Sequence, residues 1–215
     1  MHRLVRLVFL AVVAVGAVGA GQAPLPRSLY FSEQDRAELD RVSEYLNSIR
    51  SLQGGFVQIG PTGEIDQGQF YLQKPGKLRF EYTPPSPLLI VSDGRTVAVS
   101  NSKLKTVDRY PLSSTPLDLI LADDINLRQD NEVMAVRHDA GNLMVEARTS
   151  RNRTKPNIII TFSETPLELR QWTVIDDQGL STTVALRDVQ SGVALDGTLF
   201  VLRDMGKPVG VKERD

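Results

Sequence analysis

The chain has 215 residues, 41% hydrophobic and 24% charged, the profile of one globular domain rather than of a disordered or multi-pass membrane protein. Lys and Arg number 25 against 26 Asp and Glu, a formal charge of −1, so no global field favours nucleic acid. There is no Cys, which removes disulfides, thiolate metal sites and cysteine nucleophiles, and His occurs only as His2 and His138.

Arg3 and Arg6 precede an uncharged apolar run, Leu7 to Ala20, that ends in the small residues Val18-Gly19-Ala20. This is the pattern of a secretory signal peptide over residues 1–20. The 14-residue run is shorter than the roughly 20 residues that span a bilayer. Removing Arg3 and Arg6 takes the basic count from 25 to 23 against 26 acidic groups, so the remaining chain carries −3. Residues 21–31 are Pro-rich and are expected to form a flexible arm.

Ser32 is a predicted N-cap, with Glu33 and Asp35 in the first turn to complement the helix dipole. Leu39, Val42, Tyr45, Leu46, Ile49 and Leu52 recur every three or four residues, which predicts a helix from 33 to 52 that Gly54-Gly55 ends. Beyond it the apolar period falls to two. Strands are predicted at 67–72, 77–82, 88–91, 97–99, 104–110, 132–138, 143–149, 157–163, 167–176, 180–189 and 198–203, divided by turn signals such as Asp93-Gly94 and Asp176-Asp177-Gln178-Gly179. Thr115-Pro116 is read as the cap and first residue of a short helix carrying Leu117, Leu119, Ile120 and Leu121. No linker or internal repeat interrupts the series. The expected fold is therefore mainly β with helices, a long antiparallel meander of about eleven strands that curls into a half-barrel. The apolar stripe of the first helix must bury itself somewhere, and the simplest place is over the curled sheet.

Catalytic signals are weak. His138 ends a predicted strand without a G-x-S-x-G partner motif, and Asp123-Asp124 and Asp176-Asp177 are adjacent pairs of the kind that turns leave solvated. No phosphate-binding glycine loop is present. These patterns point away from an enzyme, and neither a cofactor nor a metal is expected. The informative stretch is Phe70 to Gly94, where large apolar residues alternate along three strands; on the residues alone, plain core packing is the favoured account of the alternation.

That stretch, with its flanks, resembles the LolA-type outer-membrane lipoprotein carrier family. The resemblance rests on Phe56-Val57-Gln58, on Gly68 to Leu72, and on Lys74-Pro75-Gly76-Lys77-Leu78-Arg79-Phe80-Glu81-Tyr82-Thr83-Pro84-Pro85. It continues through Ile90-Val91-Ser92-Asp93-Gly94, Tyr110-Pro111-Leu112 and Thr115-Pro116-Leu117. It implies an incomplete β-barrel over residues 32–204 closed by a helical lid, with 205–215 as a C-terminal tail. It also implies a periplasmic carrier that buries the acyl chains of lipoproteins released by an inner-membrane ABC-type complex and delivers them to the outer membrane. The implied partners are acylated lipoproteins, that complex and an outer-membrane receptor, with the carrier a monomer. The acyl-chain cavity would be walled by Phe70, Leu72, Leu78, Phe80, Tyr82, Leu89, Val91, Val97 and Val99. The lid would present Val42, Tyr45, Leu46, Ile49, Leu117, Ile120 and Leu121. Family members often carry arginine as a lid latch where this chain has Lys74, a point charge in place of a planar fork. Arg79, on the opposite strand face from Leu78 and Phe80, is expected outside. A carrier of another lipid, phospholipid or glycolipid, and a periplasmic sensor or scaffold with a filled core are the alternatives.

Overall fold

The computed structural model describes residues 31–130, 132–148 and 157–202; the predicted signal peptide, nearly all of the N-terminal arm and the 205–215 tail lie outside them. Eleven strands form a single antiparallel sheet. Strands β1 (Ser51–Ile59), β2 (Ile65–Gln73), β3 (Lys77–Tyr82), β4 (Leu88–Asp93), β5 (Thr96–Asn101) and β6 (Thr106–Pro111) run as one meander. Strands β7 (Val133–Asp139), β8 (Asn142–Ala147), β9 (Ile158–Glu164), β10 (Leu167–Ile175) and β11 (Ser181–Ser191) run as a second. The two join where β11 pairs with β1, with Phe56 opposite Leu186. Strands β6 and β7 each pair on one side only, so the sheet stays open. Its inward residues from both meanders nevertheless share one core, which requires the sheet to curl around a common interior.

Helix α1 (Glu33–Ser48) starts as the sequence predicts. Ser32 Oγ accepts from the Asp35 amide at 3.1 Å, and the Ser32 amide donates to the Asp35 carboxylate at 3.0 Å, closing a capping box. The predicted end at residue 52 is overturned. Ile49 is already extended, and Ser51 begins β1, a strand missing from the sequence-based series. Gly54 and Gly55 are inside that strand rather than after a helix. A Cβ on Gly54 would lie 2.6 Å from the Arg187 carbonyl oxygen and 3.1 Å from the Phe70 ring. A Cβ on Gly68 would meet the Glu81 carbonyl oxygen at 1.9 Å and the Phe56 ring at 2.9 Å. These glycines make room for aromatic rings on the inside of a tightly bent sheet, a role of strand glycine that resembles a helix stop on paper.

Two other expectations are corrected. Residues 198–203 do not begin as a strand: Gly197–Phe200 is a 3-10 turn that Asp196 caps through the Thr198 amide. The segment buries Phe200 and lies against β3 and β4. Thr115 is not a cap either. Its hydroxyl donates back to the Leu112 carbonyl at 2.8 Å, following a 3-10 turn at Leu112–Ser114, and α2 (Asp118–Leu121) begins after Leu117.

Candidate functional site

The concave face of the sheet is one continuous apolar surface, with α1 and the 112–127 segment seated on it. Leu39, Val42 and Leu46 of α1, Ile49 just after it, and Ile120 and Leu121 of α2 are buried against it. The lid is one plate because polar bonds join its parts. Asn47 donates to the Ile125 carbonyl at 2.8 Å and accepts from the Ile125 amide at 2.9 Å, while Ser43 Oγ accepts from the Leu127 amide at 3.0 Å. Outside, Arg128 pairs with Asp40 at 2.8 Å.

Of the nine wall positions, Phe70, Leu72, Leu78, Phe80, Tyr82 and Val97 are buried in the concave core. Val99 stands half-buried on the same face, opposite Ile90. Leu89 and Val91 do not belong there. Phe80 faces Ile90 and Leu78 faces Ser92 across β3 and β4, so Leu89 and Val91 point to the convex side. They form a separate cluster with Ala98, Val107 and Leu202. The lid positions Val42, Leu46, Ile49, Ile120 and Leu121 are buried over the wall, and Tyr45 and Leu117 pack half-buried at its margins. Arg79 is on the convex face as expected but is covered there, donating to the Leu199 carbonyl at 3.1 Å and pairing with Glu81 at 2.6 Å.

Sequence reasoning passed over Phe56, Trp172 and Val184 and the wall of the second meander, Leu143, Val145, Ile158, Ile160 and Phe162, all of them buried in the same core. The signal was present in the alternation Ile158/Ile160/Phe162 and Leu143/Val145/Ala147. Phe56 packs edge-on against Phe80 at 4.7 Å and Tyr82 at 5.0 Å, and Phe80 meets Trp172 at 6.0 Å, so aromatic contacts stitch the two meanders together.

The chamber is not completely filled. A cavity of about 200 Å³ remains where Phe80, Tyr82, Ile90, Trp172, Val174 and Val184 of the sheet face Thr115, Pro116 and Leu117 at the start of the α2 segment. Its walls are almost wholly apolar; Gln58 at the edge accepts from the buried Tyr82 hydroxyl at 2.7 Å, and burial raises the pKa of that phenol.

The turn between β2 and β3 holds both helix ends. Buried Lys74 Nζ donates to the Leu46 carbonyl in the last turn of α1 at 3.0 Å. Two residues on, the Gly76 amide donates to the Leu121 carbonyl at the end of α2 at 2.9 Å. Cations at helix C-termini complement the dipole. Burial nevertheless pushes the Lys74 pKa down to about 8, with Asp123 pulling the other way. On the far side, Tyr45 Oη accepts from the Leu169 amide at 2.9 Å, beside the irregularity in the β9–β10 pairing.

Elsewhere His138 and Glu164 form an exposed pair at 2.7 Å, and the Asp176 carboxylate accepts from the Gln178 and Leu180 amides within its hairpin turn. Among the described residues there is no cluster of metal-ligating side chains, and no helix is long and apolar enough to cross a membrane.

The sequence profile of the outer membrane lipoprotein carrier protein family, LolA, matches residues 47–203. An outer-membrane lipoprotein carrier protein of Methylococcus capsulatus is 26% identical over 191 residues, 85% of this chain and 89% of the relative. One from Pseudomonas aeruginosa is 27% identical over 177 residues, 77% of this chain and 83% of the relative. A solved LolA superfamily protein of Nitrosomonas europaea superposes with a TM-score of 0.42 at 11% identity, over 76% of this chain and 97% of that one.

Proposed function

The chain belongs to the outer membrane lipoprotein carrier family LolA, and on that premise we propose that it carries the acyl chains of lipoproteins through the periplasm, from an inner-membrane ABC-type releasing complex to an outer-membrane receptor. Each buried CH₂ contributes roughly 0.8 kcal/mol, so a chain of sixteen carbons costs on the order of 12 kcal/mol to expose to water. A lipid anchor crosses an aqueous space only inside an apolar container. The container must also release its cargo, so its affinity has to be moderated.

The observation that carries this reading is the apolar cavity at the rim of a chamber otherwise occupied by the lid's own side chains. At about 200 Å³ it is below the range of ordinary ligand sites, enough to admit the start of a hydrocarbon chain and not the whole of it. Loading then requires Leu46, Ile49, Ile120 and Leu121 to withdraw and hydrocarbon to take their place. Apolar contact is exchanged for apolar contact, which keeps the net affinity modest. The lid's side-chain and turn fastenings to the sheet include Lys74 to α1, Gly76 to α2, Tyr45 to β10 and a long bond from Arg41 to the Glu164 carbonyl of β9 at 3.5 Å. Lys74 serves as the latch through one hydrogen bond to the α1 terminus. The function is carriage by burial and needs no covalent step, cofactor or metal.

The test is binding of an N-terminally palmitoylated lipoprotein peptide, with the same peptide lacking its acyl chain as control. Saturable binding of the acylated form alone is expected. Leu117→Asp at the cavity should weaken it at least tenfold while the protein stays folded, since Leu117 is only half-buried. Equal binding of both peptides, or an undiminished Leu117→Asp, would overturn the reading.

A further inference from the structure

A second cleft lies at the other end of the interior. It is about 570 Å³, bounded by Tyr45, Ser48 and Ile49 at the end of α1, by the start of β10 and by the end of β11. Leu52 of β1 stands opposite Ser191 and Leu186 of β11 stands opposite Phe56, and together with Leu169 they belong to the main core, so the cleft's floor is the outer margin of the same apolar surface. It shares no lining residue with the cavity near Leu117, whose wall includes Phe80 and Trp172.

Its lip differs from that of the acyl chamber, because it is charged. Arg50, exposed at the α1–β1 junction, has no carboxylate within ion-pair distance among the described residues. Arg170, also exposed, is bound to Glu168 at 3.0 Å. Arg187 borders the cleft but turns its guanidinium towards Gln67 at 3.4 Å, and Asp188 is the remaining acidic neighbour. Once the Arg170–Glu168 pair is set aside, the guanidinium at the lip that is not already engaged is Arg50. An apolar floor beside an uncompensated guanidinium suits a molecule with a hydrocarbon tail and an anionic head. The volume falls within the range of sites that enclose one small ligand, which fits one tail.

We propose that this cleft is a second lipid site, taking a single-chain amphiphile with its tail over Leu52, Leu167, Leu169 and Leu186 and its anionic head at Arg50, with Arg170 beside it. It adjoins the acyl chamber, because Tyr45 and Ile49 serve both, but Leu117 lines only the other cavity, so the two sites can be tested apart.

Decyl phosphate, titrated below its micelle-forming concentration and followed by calorimetry, tests the site. Decanol and inorganic phosphate supply the tail-only and head-only arms. The wild type and Leu117→Asp should both bind decyl phosphate saturably, and Arg50→Gln with Arg170→Gln should weaken it at least tenfold. Both arginines are exposed, so the double variant should keep its fold, checked by circular dichroism. Decanol should bind the double variant and the wild type alike, and phosphate alone should not saturate. Undiminished binding by the double variant would overturn the proposal. Loss of binding in Leu117→Asp would place the amphiphile in the acyl chamber and would also overturn it. Inorganic phosphate binding as tightly as decyl phosphate would reduce the cleft to an anion site.

Discussion

Strand β4 has an apolar cover on both faces, and the two covers are built differently. On the concave side Leu88 and Ile90 meet the core beneath the lid. On the convex side Leu89 and Val91 meet Ala98, Val107 and Leu202, under the chain that follows β11. The concave cover consists of helices held by a few polar fastenings around a residual cavity. The convex cover is a strap laid across the sheet, with Phe200 buried and Arg79 gripping the Leu199 carbonyl. Both remove apolar area from water, and the first has a cavity of about 200 Å³ beside it. On the proposed carrier function, the difference separates a surface that is covered for stability from one covered in competition with a ligand.

Removing a ring from the centre of the concave wall should have the largest effect. Phe56 is fully buried and touches Phe80 and Tyr82, so Phe56→Ala should cost about 3–5 kcal/mol in equilibrium denaturation. The enlarged chamber should keep its capacity for acyl peptide. Phe200→Ala on the convex strap should cost less, roughly 2–3 kcal/mol, because the strap is peripheral and can settle into the space. Its diagnostic feature is that acyl-peptide affinity should not change. If affinity fell with Phe200→Ala while Phe56→Ala left stability intact, the assignment of one face to binding and the other to stability would be reversed.

The same strand shows where the sequence was readable. Clean alternation in Lys77–Tyr82 put Leu78, Phe80 and Tyr82 on one face, and the pairing agrees. In β4 the run Leu88-Leu89-Ile90-Val91 has no polar phase, as expected of a strand buried on both sides, and periodicity could not say which residues face the chamber. The strap that covers the outer two comes from more than a hundred residues further along the chain and cannot be read from β4 itself. The count of eleven strands agreed with the sheet through two opposite errors. Strand β1 was hidden because Gly54-Gly55 looks like a helix stop, and a strand was expected at 198–203 where Val201 and Leu202 follow a 3-10 turn. Lys74 was legible as a lid contact through the family resemblance alone. Its burial and its partner, the Leu46 carbonyl, depend on tertiary packing.

The smallest expected effect concerns that lysine, which fastens the concave cover and not the convex one. With the lid seated, burial holds the Lys74 pKa at about 8, below the ordinary lysine value of 10.5. If loading lifts α1 from the turn and returns Lys74 to water, the open form binds more protons than the closed form across the window between those values. Raising the pH through that window therefore favours the closed form, by the same linkage that makes the folded state gain stability there over an unfolded chain whose lysine is still protonated. Acyl-peptide affinity should weaken by roughly three- to tenfold from pH 7 to pH 9, on the order of 1 kcal/mol. Lys74→Arg, which does not titrate in this range, and Lys74→Met, which has no charge to lose, should both flatten the profile. A wild-type profile as flat as theirs would mean that α1 and the β2–β3 turn stay together during loading, and the opening would then have to be sought at the Thr115–Leu117 edge of the lid instead.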